Sequence, residues 1–198
     1  MRRLLPLEIR LVLGLIAALT TIPLACNRNK LPSGLPSLGL KTYSFSRKPP
    51  ASPLSRGTIP NRFSSCEGQA NDSPELYWQA PPDGTQSFSL IVTDRDTPIG
   101  TFVHWVLYDL PPNLRELPEA ITKAEQLPNG SRQGKNDFGE IGYDGPCPSG
   151  HSAHHYVFDL YALDTKLNLP GGATKKQVTN AMTNHILAHG QLTGLYLR

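Results

Sequence analysis

The stretch TFVHWVLYDLPP, residues 101–112, decides the fold class. Its first ten residues are apolar on both faces of a strand, which is the pattern of a strand buried on both sides within a sheet. Pro111 and Pro112 have no N–H to donate to a strand ladder, so the strand is predicted to end at Leu110. The sequence therefore predicts a long central strand over residues 101–110.

Shorter apolar runs flank this strand and are separated by turn formers. The predicted strands lie at residues 40–46, 76–78, 87–93, 155–163 and 192–198. Pro81-Pro82-Asp83-Gly84 predicts a turn, because proline fixes φ and glycine permits positive φ. The 17 Gly and 19 Pro among 198 residues also indicate many turns. We predict an all-β fold, a β-sandwich with one or two peripheral helices.

One helix is predicted near the C-terminus. Thr174 and Gln177 have the spacing of a capping box, which marks a helix start. One helix face then carries Val178, Ala181, Met182 and His185. Gly190 is predicted to end this helix as the residue after its C-cap. His185 and His189 would be partly exposed positions on it.

The first 25 residues resemble a secretory signal peptide, with a basic start, an apolar run over 11–19 and small residues after it. The run is shorter than the roughly 20 residues that a transmembrane helix needs. Leu24-Ala25-Cys26 resembles a bacterial lipobox, in which Cys26 would carry a lipid, although Pro23 stands where leucine is preferred. Plain secretion or an uncleaved anchor is the alternative. We expect an exported protein of the cell envelope or periplasm, lipid-anchored to a membrane.

The rest of the chain divides into two parts. Residues 26–56 are rich in Pro and Ser and are predicted to form a tether and the first strand, and residues 57–198 form the domain. The net charge is +3, of which the first 25 residues supply +2, so the body carries only +1. Nucleic-acid binding needs a basic footprint, which this charge does not provide.

Two segments carry the residue types of a binding or catalytic site. Asp94, Asp96 and Pro98 follow one buried strand, and His104 lies in the next. Gly145-Pro146-Cys147-Pro148 precedes another strand that begins near His154 and Tyr156. Neighbouring strands would bring these side chains to one sheet end, where imidazoles, a hydroxyl and turn N–H groups offer donors to an anion. The alternative for His104 is a hydrogen-bonded core residue, and for the aspartates a turn-forming role.

Other chemistries have weaker signals. Zinc is not predicted, because there is no HExxH motif and the adjacent His154 and His155 point to opposite faces of a strand. His151 and His155 are expected at the surface. No Gly-x-Ser-x-Gly elbow indicates a serine hydrolase. With Cys26 lipidated, Cys66 and Cys147 remain to pair as a disulfide in an oxidising compartment. No cofactor or metal is predicted.

Three stretches together resemble a known family. TDRDTP…FVHWVLYDLPP and NDFGEIGYDGPCPSGHSAHHYVFDLYALD are similar to the phosphatidylethanolamine-binding protein family, closest to its bacterial Raf kinase inhibitor-like branch. IPNRFSSCEG…NDSPELYWQAPPDGTQSFSLIVTD resembles the N-terminal half of that branch, including the position of Cys66. The resemblance covers residues 57–198.

The resemblance implies an antiparallel, Greek-key-type β-sandwich with a small anion pocket for phosphate-like groups or phospholipid headgroups. The lining residues implied by the matching motifs are Asp94, Asp96, Pro98, His104, Gly145, Pro146, His154 and Tyr156. Two positions depart from the family pattern, since Arg95 replaces a proline and His155 an arginine. The second change puts in doubt whatever the arginine anchors outside the pocket, such as a structural salt bridge.

Three functions follow. The first is an exported binding protein for a small anionic ligand or phospholipid headgroup, which modulates a kinase or protease through an unidentified partner. The second is a small hydrolase or lyase that uses His–Asp acid–base chemistry in the same pocket. The third is an envelope protease inhibitor that acts through residues 114–137. The absence of a placed nucleophile in the sequence favours the first.

Overall fold

The computed structural model describes residues 31–45, 57–150 and 152–198. Its strands are β1 (Gly57–Thr58), β2 (Leu76–Tyr77), β3 (Ser87–Thr97), β4 (Gly100–Leu110), β5 (Glu116–Leu117), β6 (Arg132–Gln133), β7 (His154–Leu163) and β8 (Ile186–Tyr196). Its helices are a 3-10 turn at Asn61–Phe63 and α1 at Lys175–Ala181. Cys26, the predicted signal peptide and most of the predicted tether lie outside the described residues.

Six strands form the main sheet, in the order β1-β8-β7-β3-β4-β6. The four long strands pair antiparallel, as predicted. The short β1 instead runs parallel to β8, so the prediction of a purely antiparallel sheet is wrong and the sheet is mixed. A two-residue strand has no sequence pattern that reveals its direction. The strands β2 and β5 form a separate two-stranded sheet, and the predicted Greek-key sandwich is not confirmed.

Both faces of the main sheet are covered by apolar side chains. We call one the aromatic face, where Trp105, Tyr156 and Phe158 belong to a single buried cluster. The other is the helix face, where Val106 and Tyr108 share a second cluster with residues of α1. Because neighbouring residues of β4 are buried on opposite sides, the predicted two-sided burial of this strand is confirmed. The strand also ends at Leu110, before the two prolines.

The helix begins as predicted but ends earlier. The Thr174–Gln177 capping box is present, and Val178 is buried against the sheet. The helix stops at Ala181 rather than near Gly190, and the chain enters β8 five residues later. Gly190 lies within β8, where a β-carbon would come 2.9 Å from that of Leu38. The glycine is therefore explained by close packing within a strand and not by a helix end.

The segment before β1 packs on the body. Leu38 and Leu40 are buried, and the Leu38 N–H donates to the carbonyl of His189. This backbone pairing covers part of the β8 edge and limits edge-to-edge association. The strand predicted over 40–46 is reduced, in its described part, to a single bridge between Lys41 and Tyr77.

The described part of the chain has no helix long and apolar enough to cross a membrane.

The predicted turn before β3 is present, and Gly84 has a φ of +84° there. A residue with a side chain would be strained in this conformation, which explains the glycine.

Candidate functional site

Strand pairing brings the two sequence segments together at one sheet end. Asp94 on β3 lies opposite Tyr156 on β7 and opposite Phe102 on β4. His154 precedes Tyr156 by two residues, so both lie on the aromatic face. This end of the sheet therefore holds side chains from three adjacent strands.

A β-bulge in β4 adds His104 to this group. Val92 pairs with Trp105 and Thr93 pairs with Val103, which leaves His104 without an opposite residue. A bulge of this kind turns two successive side chains to the same face. His104 accordingly packs edge-on against Tyr156, with ring centroids 5.1 Å apart, while Trp105 joins the same aromatic cluster.

The Asp94 carboxylate lies at the centre of the group and is 2% exposed. One of its oxygens accepts a hydrogen bond from His154 Nδ1 at 2.7 Å, and the other accepts the Asp96 N–H at 2.8 Å. Burial raises the pKa of Tyr156, and the negative charge of Asp94 and a hydrogen bond to it act in the same direction. The tyrosine hydroxyl therefore keeps its proton at neutral pH.

His104 is held in one tautomer. Its Nδ1 lies 2.6 Å from the backbone oxygen of Asp144. A carbonyl oxygen only accepts, so Nδ1 carries a proton and donates it. Burial lowers the pKa of the ring, and the backbone hydrogen bond to Asp144 and the charges of Asp94 and Asp144 only partly oppose this. The ring is thus neutral, with Nε2 unprotonated.

The Asp144 side chain anchors the loop that holds His104. Its carboxylate accepts hydrogen bonds from Asn71 and Asn136, both at 2.8 Å, and from the Lys123 ammonium at 2.6 Å. Three separate parts of the chain therefore fix the residue whose carbonyl orients His104. Sequence reasoning missed Asp144, because its only signal is its position before Gly145.

The turn that begins at Gly145 provides shape rather than hydrogen-bond donors. The Gly145 N–H donates to Asn71 at 2.8 Å, and the two prolines at 146 and 148 have no N–H. At most the N–H of Cys147 is left to meet a ligand. The sequence suggested backbone N–H donors in this turn, and the N–H of Gly145 is engaged by Asn71.

The same turn is tied to an earlier loop. A β-carbon at Gly145 would lie 1.8 Å from the carbonyl oxygen of Phe63, so only glycine fits. The Ser64 hydroxyl donates to the Pro146 oxygen at 2.7 Å. Cys66 and Cys147 form a disulfide, which joins the two loops covalently.

Asp96 and Pro98 lie outside the group around Asp94. The Asp96 carboxylate accepts the His155 backbone N–H at 2.7 Å and the His155 Nδ1 at 2.6 Å. Pro98 lies in the exposed turn between β3 and β4. The Asp96–His155 bonds therefore join the end of β3 to the start of β7.

Arg95 points away from the site. Its guanidinium donates to Asp159 at 3.0 Å on the helix face, where His189 and Gln191 also donate to Asp159. The prediction that His189 lies in the helix is therefore wrong, since the residue lies in β8 and is hydrogen-bonded to Asp159. His185 is likewise beyond α1 and donates to Asp164 at 2.7 Å.

Aromatic side chains extend the group to the surface, and sequence reasoning missed them. Phe138 lies 4.8 Å from Phe102 and 5.4 Å from His104, measured between ring centroids. It is 49% exposed, and Ile99 in the β3–β4 turn is 84% exposed. The site therefore has an apolar rim beside its polar floor.

The remaining candidate features lie elsewhere. Within residues 31–45, 57–150 and 152–198, no three His, Cys, Asp or Glu side chains are grouped as metal ligands would be. An apolar groove of about 350 Å³ lies along residues 114–129 and includes none of the predicted site residues. The segment 114–137 carries β5 and β6 and buries Leu117, Leu127 and Gln133.

Comparison with known proteins gives a consistent result. The sequence model of the family described as phosphatidylethanolamine-binding protein matches residues 51–197. A UPF0098 protein of Methanothermobacter thermautotrophicus is 44% identical over 161 residues, which cover 81% of this chain and 99% of that protein. The UPF0098 protein YbcL of Escherichia coli is 36% identical over 136 residues, covering 66% of this chain and 74% of the relative.

Two solved structures share the fold. The phosphatidylethanolamine-binding protein homologue CT736 of Chlamydia trachomatis superposes with a TM-score of 0.69 at 35% identity, covering 82% of this chain and 98% of that one. The crystal structure of E. coli YbcL, described as a member of the mammalian PEBP family, gives a TM-score of 0.70 at 27% identity, with 82% and 99% covered.

Proposed function

This chain belongs to the phosphatidylethanolamine-binding protein family, and we propose that it is a binding protein that holds a small anionic group at the sheet end beside His154 and Tyr156. Phosphate and phospholipid headgroups are the ligand types that this family implies. The convergence of Asp94, His104, His154 and Tyr156 is the observation that carries the proposal.

The hydrogen bonds explain how such a site would bind an anion. A protonated imidazole donates from both nitrogens, so His154 can donate from Nδ1 to Asp94 and from Nε2 to a ligand. Because the Asp94 oxygens accept donors from the protein, the carboxylate positions His154. The Tyr156 hydroxyl retains a proton and lies on the same face. The segment before Gly145 positions His104, whose ring is held by the Asp144 carbonyl oxygen.

A second candidate function is an acid–base enzyme, and the His154–Asp94 pair is the observation that favours it. A histidine oriented by a carboxylate is a common general base. In the described chain, however, both cysteines are in the disulfide and the Ser64 and Ser65 hydroxyls donate to the adjacent turn. We therefore place binding before catalysis, and turnover of a bound phosphate ester would reverse this order.

Export and membrane attachment are part of the proposal. The N-terminal sequence supports them, and a disulfide between Cys66 and Cys147 suits an oxidising compartment. A tethered anion-binding protein in the envelope could modulate a kinase or protease there. Cell fractionation of the wild type and Cys26→Ala tests the anchor, and we expect the variant to leave the membrane fraction.

Calorimetric titration with inorganic phosphate tests the site. We expect His154→Ala to abolish binding, because the variant loses the imidazole that the proposal makes the anion donor. His185→Ala is a matched control, since it removes another histidine bonded to an aspartate at 2.7 Å, near the opposite end of β7. Unchanged affinity in His154→Ala, or equal loss in both variants, would disprove the assignment.

A further inference from the structure

His104 presents a lone pair, not a proton, to the candidate site. Its Nδ1 proton is donated to Asp144, and Nε2 has no hydrogen-bond partner among the described residues. A ring nitrogen without a partner is available to accept a hydrogen bond from a ligand.

The surroundings keep Nε2 in this state. The other neutral tautomer would place two lone pairs against each other over 2.6 Å, at Nδ1 and the Asp144 oxygen. Protonating both nitrogens would put a charge on a ring that is 4% exposed. The groups that face the ring are the carboxylates of Asp94 and Asp144, the backbone of Asp144 and Gly145, and the aromatic rings of Phe102, Phe138 and Tyr156. Burial lowers the pKa of His104 and outweighs the backbone hydrogen bond to Asp144 and the two carboxylates, which act to raise it.

A lone pair in an anion site discriminates between anions. An oxyanion without a proton meets repulsion at Nε2 and from the buried Asp94 carboxylate. An oxyanion that keeps one acidic O–H can donate it to Nε2 and remove that repulsion. Hydrogenphosphate always carries such a group, a phosphate monoester carries it when singly ionised, and sulfate and phosphate diesters do not.

We infer that this site selects phosphate groups that retain an acidic O–H, with His104 Nε2 as the acceptor, and therefore takes free phosphate or phosphate monoesters in preference to sulfate and to the diester of an intact phospholipid headgroup. This inference rests on the proposed function, because it assigns the ligand class of the same site. It makes His104 a specificity-determining residue and His154 the general anion donor.

Two matched ligand pairs test it by calorimetry with the purified full chain. The first is phosphate against sulfate, and the second is phosphoethanolamine, a monoester, against glycerophosphoethanolamine, the diester with the same ammonium group. At about pH 6, where roughly half of a phosphate monoester is singly ionised, we expect the first member of each pair to bind at least about tenfold more tightly, as the loss of one hydrogen bond to a buried acceptor implies. Leucine at position 104 removes the acceptor, so His104→Leu should bring both ratios close to one.

Proton uptake gives a measurement that does not depend on a variant. Titrations in buffers of different ionisation enthalpy at pH 7.5 should show about one more proton taken up with phosphoethanolamine than with sulfate, because the monoester is mostly a dianion there. Equal affinities for phosphate and sulfate, or equal uptake, would overturn the selectivity and leave the proposed function intact. Failure of all four ligands to bind would overturn the proposed function itself.

Discussion

Two histidine–aspartate pairs lie side by side in this molecule and differ mainly in burial. His154 Nδ1 and Asp94 are 2.7 Å apart, and their side chains are 12% and 3% exposed. His155 Nδ1 and Asp96 are 2.6 Å apart, and theirs are 33% and 40% exposed. The same chemistry in adjacent positions therefore gives a buried pair within the site and an exposed pair that braces its hairpin.

Burial should separate the energetic roles of the two pairs. A surface ion pair typically contributes less than about 1 kcal/mol, because water competes for both partners. Removing one member of a buried pair leaves the other uncompensated and costs about 3–5 kcal/mol. The buried pair is thus a structural requirement of the site, whereas the exposed pair is a minor contribution.

The largest expected effect comes from removing each carboxylate in turn. Asp94→Ala should lower the free energy of unfolding by about 3 kcal/mol or more, because His154 Nδ1 and the Asp96 N–H lose their acceptor. Asp96→Ala should lower it by less than about 1 kcal/mol. Urea unfolding monitored by tryptophan fluorescence measures both. Similar losses in the two variants would show that burial does not distinguish the pairs.

A third histidine sharpens the comparison through pH. Burial lowers the pKa of His104, so below about pH 6.5 the unfolded chain binds more protons at this residue than the folded protein does. The free energy of unfolding should therefore fall as pH drops through about 6.5, and rise again as pH is restored. His104→Leu should reduce this slope between pH 7.5 and 5.5.

The carboxylates act in a different pH window. Partial burial acts to raise the pKa of Asp96, but hydrogen bonds from His155 outweigh it and the pKa is lowered. The stability that the Asp96 carboxylate contributes is present above about pH 3.8 and is lost as pH falls through its lowered pKa. Thermal unfolding across the neutral range therefore measures the effect of His104 on stability separately from that of Asp96. If the free energy of unfolding changed with pH equally in the wild type and in His104→Leu, the assigned protonation state of His104 would be contradicted.

Much of this arrangement could be predicted from local patterns. The apolar run of β4 gave its burial on both faces, and the alternation at 154 and 156 put His154 and Tyr156 on one face. The Thr174–Gln177 spacing located the start of α1. These signals are local, because each depends on residues within one element.

The features that escaped prediction depend on contacts between distant segments. The bulge that directs His104 to the site is visible only in the pairing of β3 with β4. The Gly145 N–H is taken by Asn71, 74 residues earlier in the chain. The helix pattern continued past Ala181 because apolar spacing from the helix ran on into β8. Gly190 then resembled a helix end although its reason is contact with Leu38.

The smallest expected effect tests the exposed pair directly. His155→Arg introduces the residue type that the family resemblance implies there and gives Asp96 a partner that is charged at all ordinary pH values. The change in the free energy of unfolding should stay below about 1 kcal/mol, because both side chains are partly exposed. Phosphate affinity should change less than twofold, because Asp96 does not contact His104, His154 or Tyr156 through its side chain.

His155→Ala serves as the control that removes the side-chain bond but keeps the backbone N–H to Asp96. A tenfold change in phosphate affinity with His155→Arg would show instead that the exposed pair sets the geometry of the buried one.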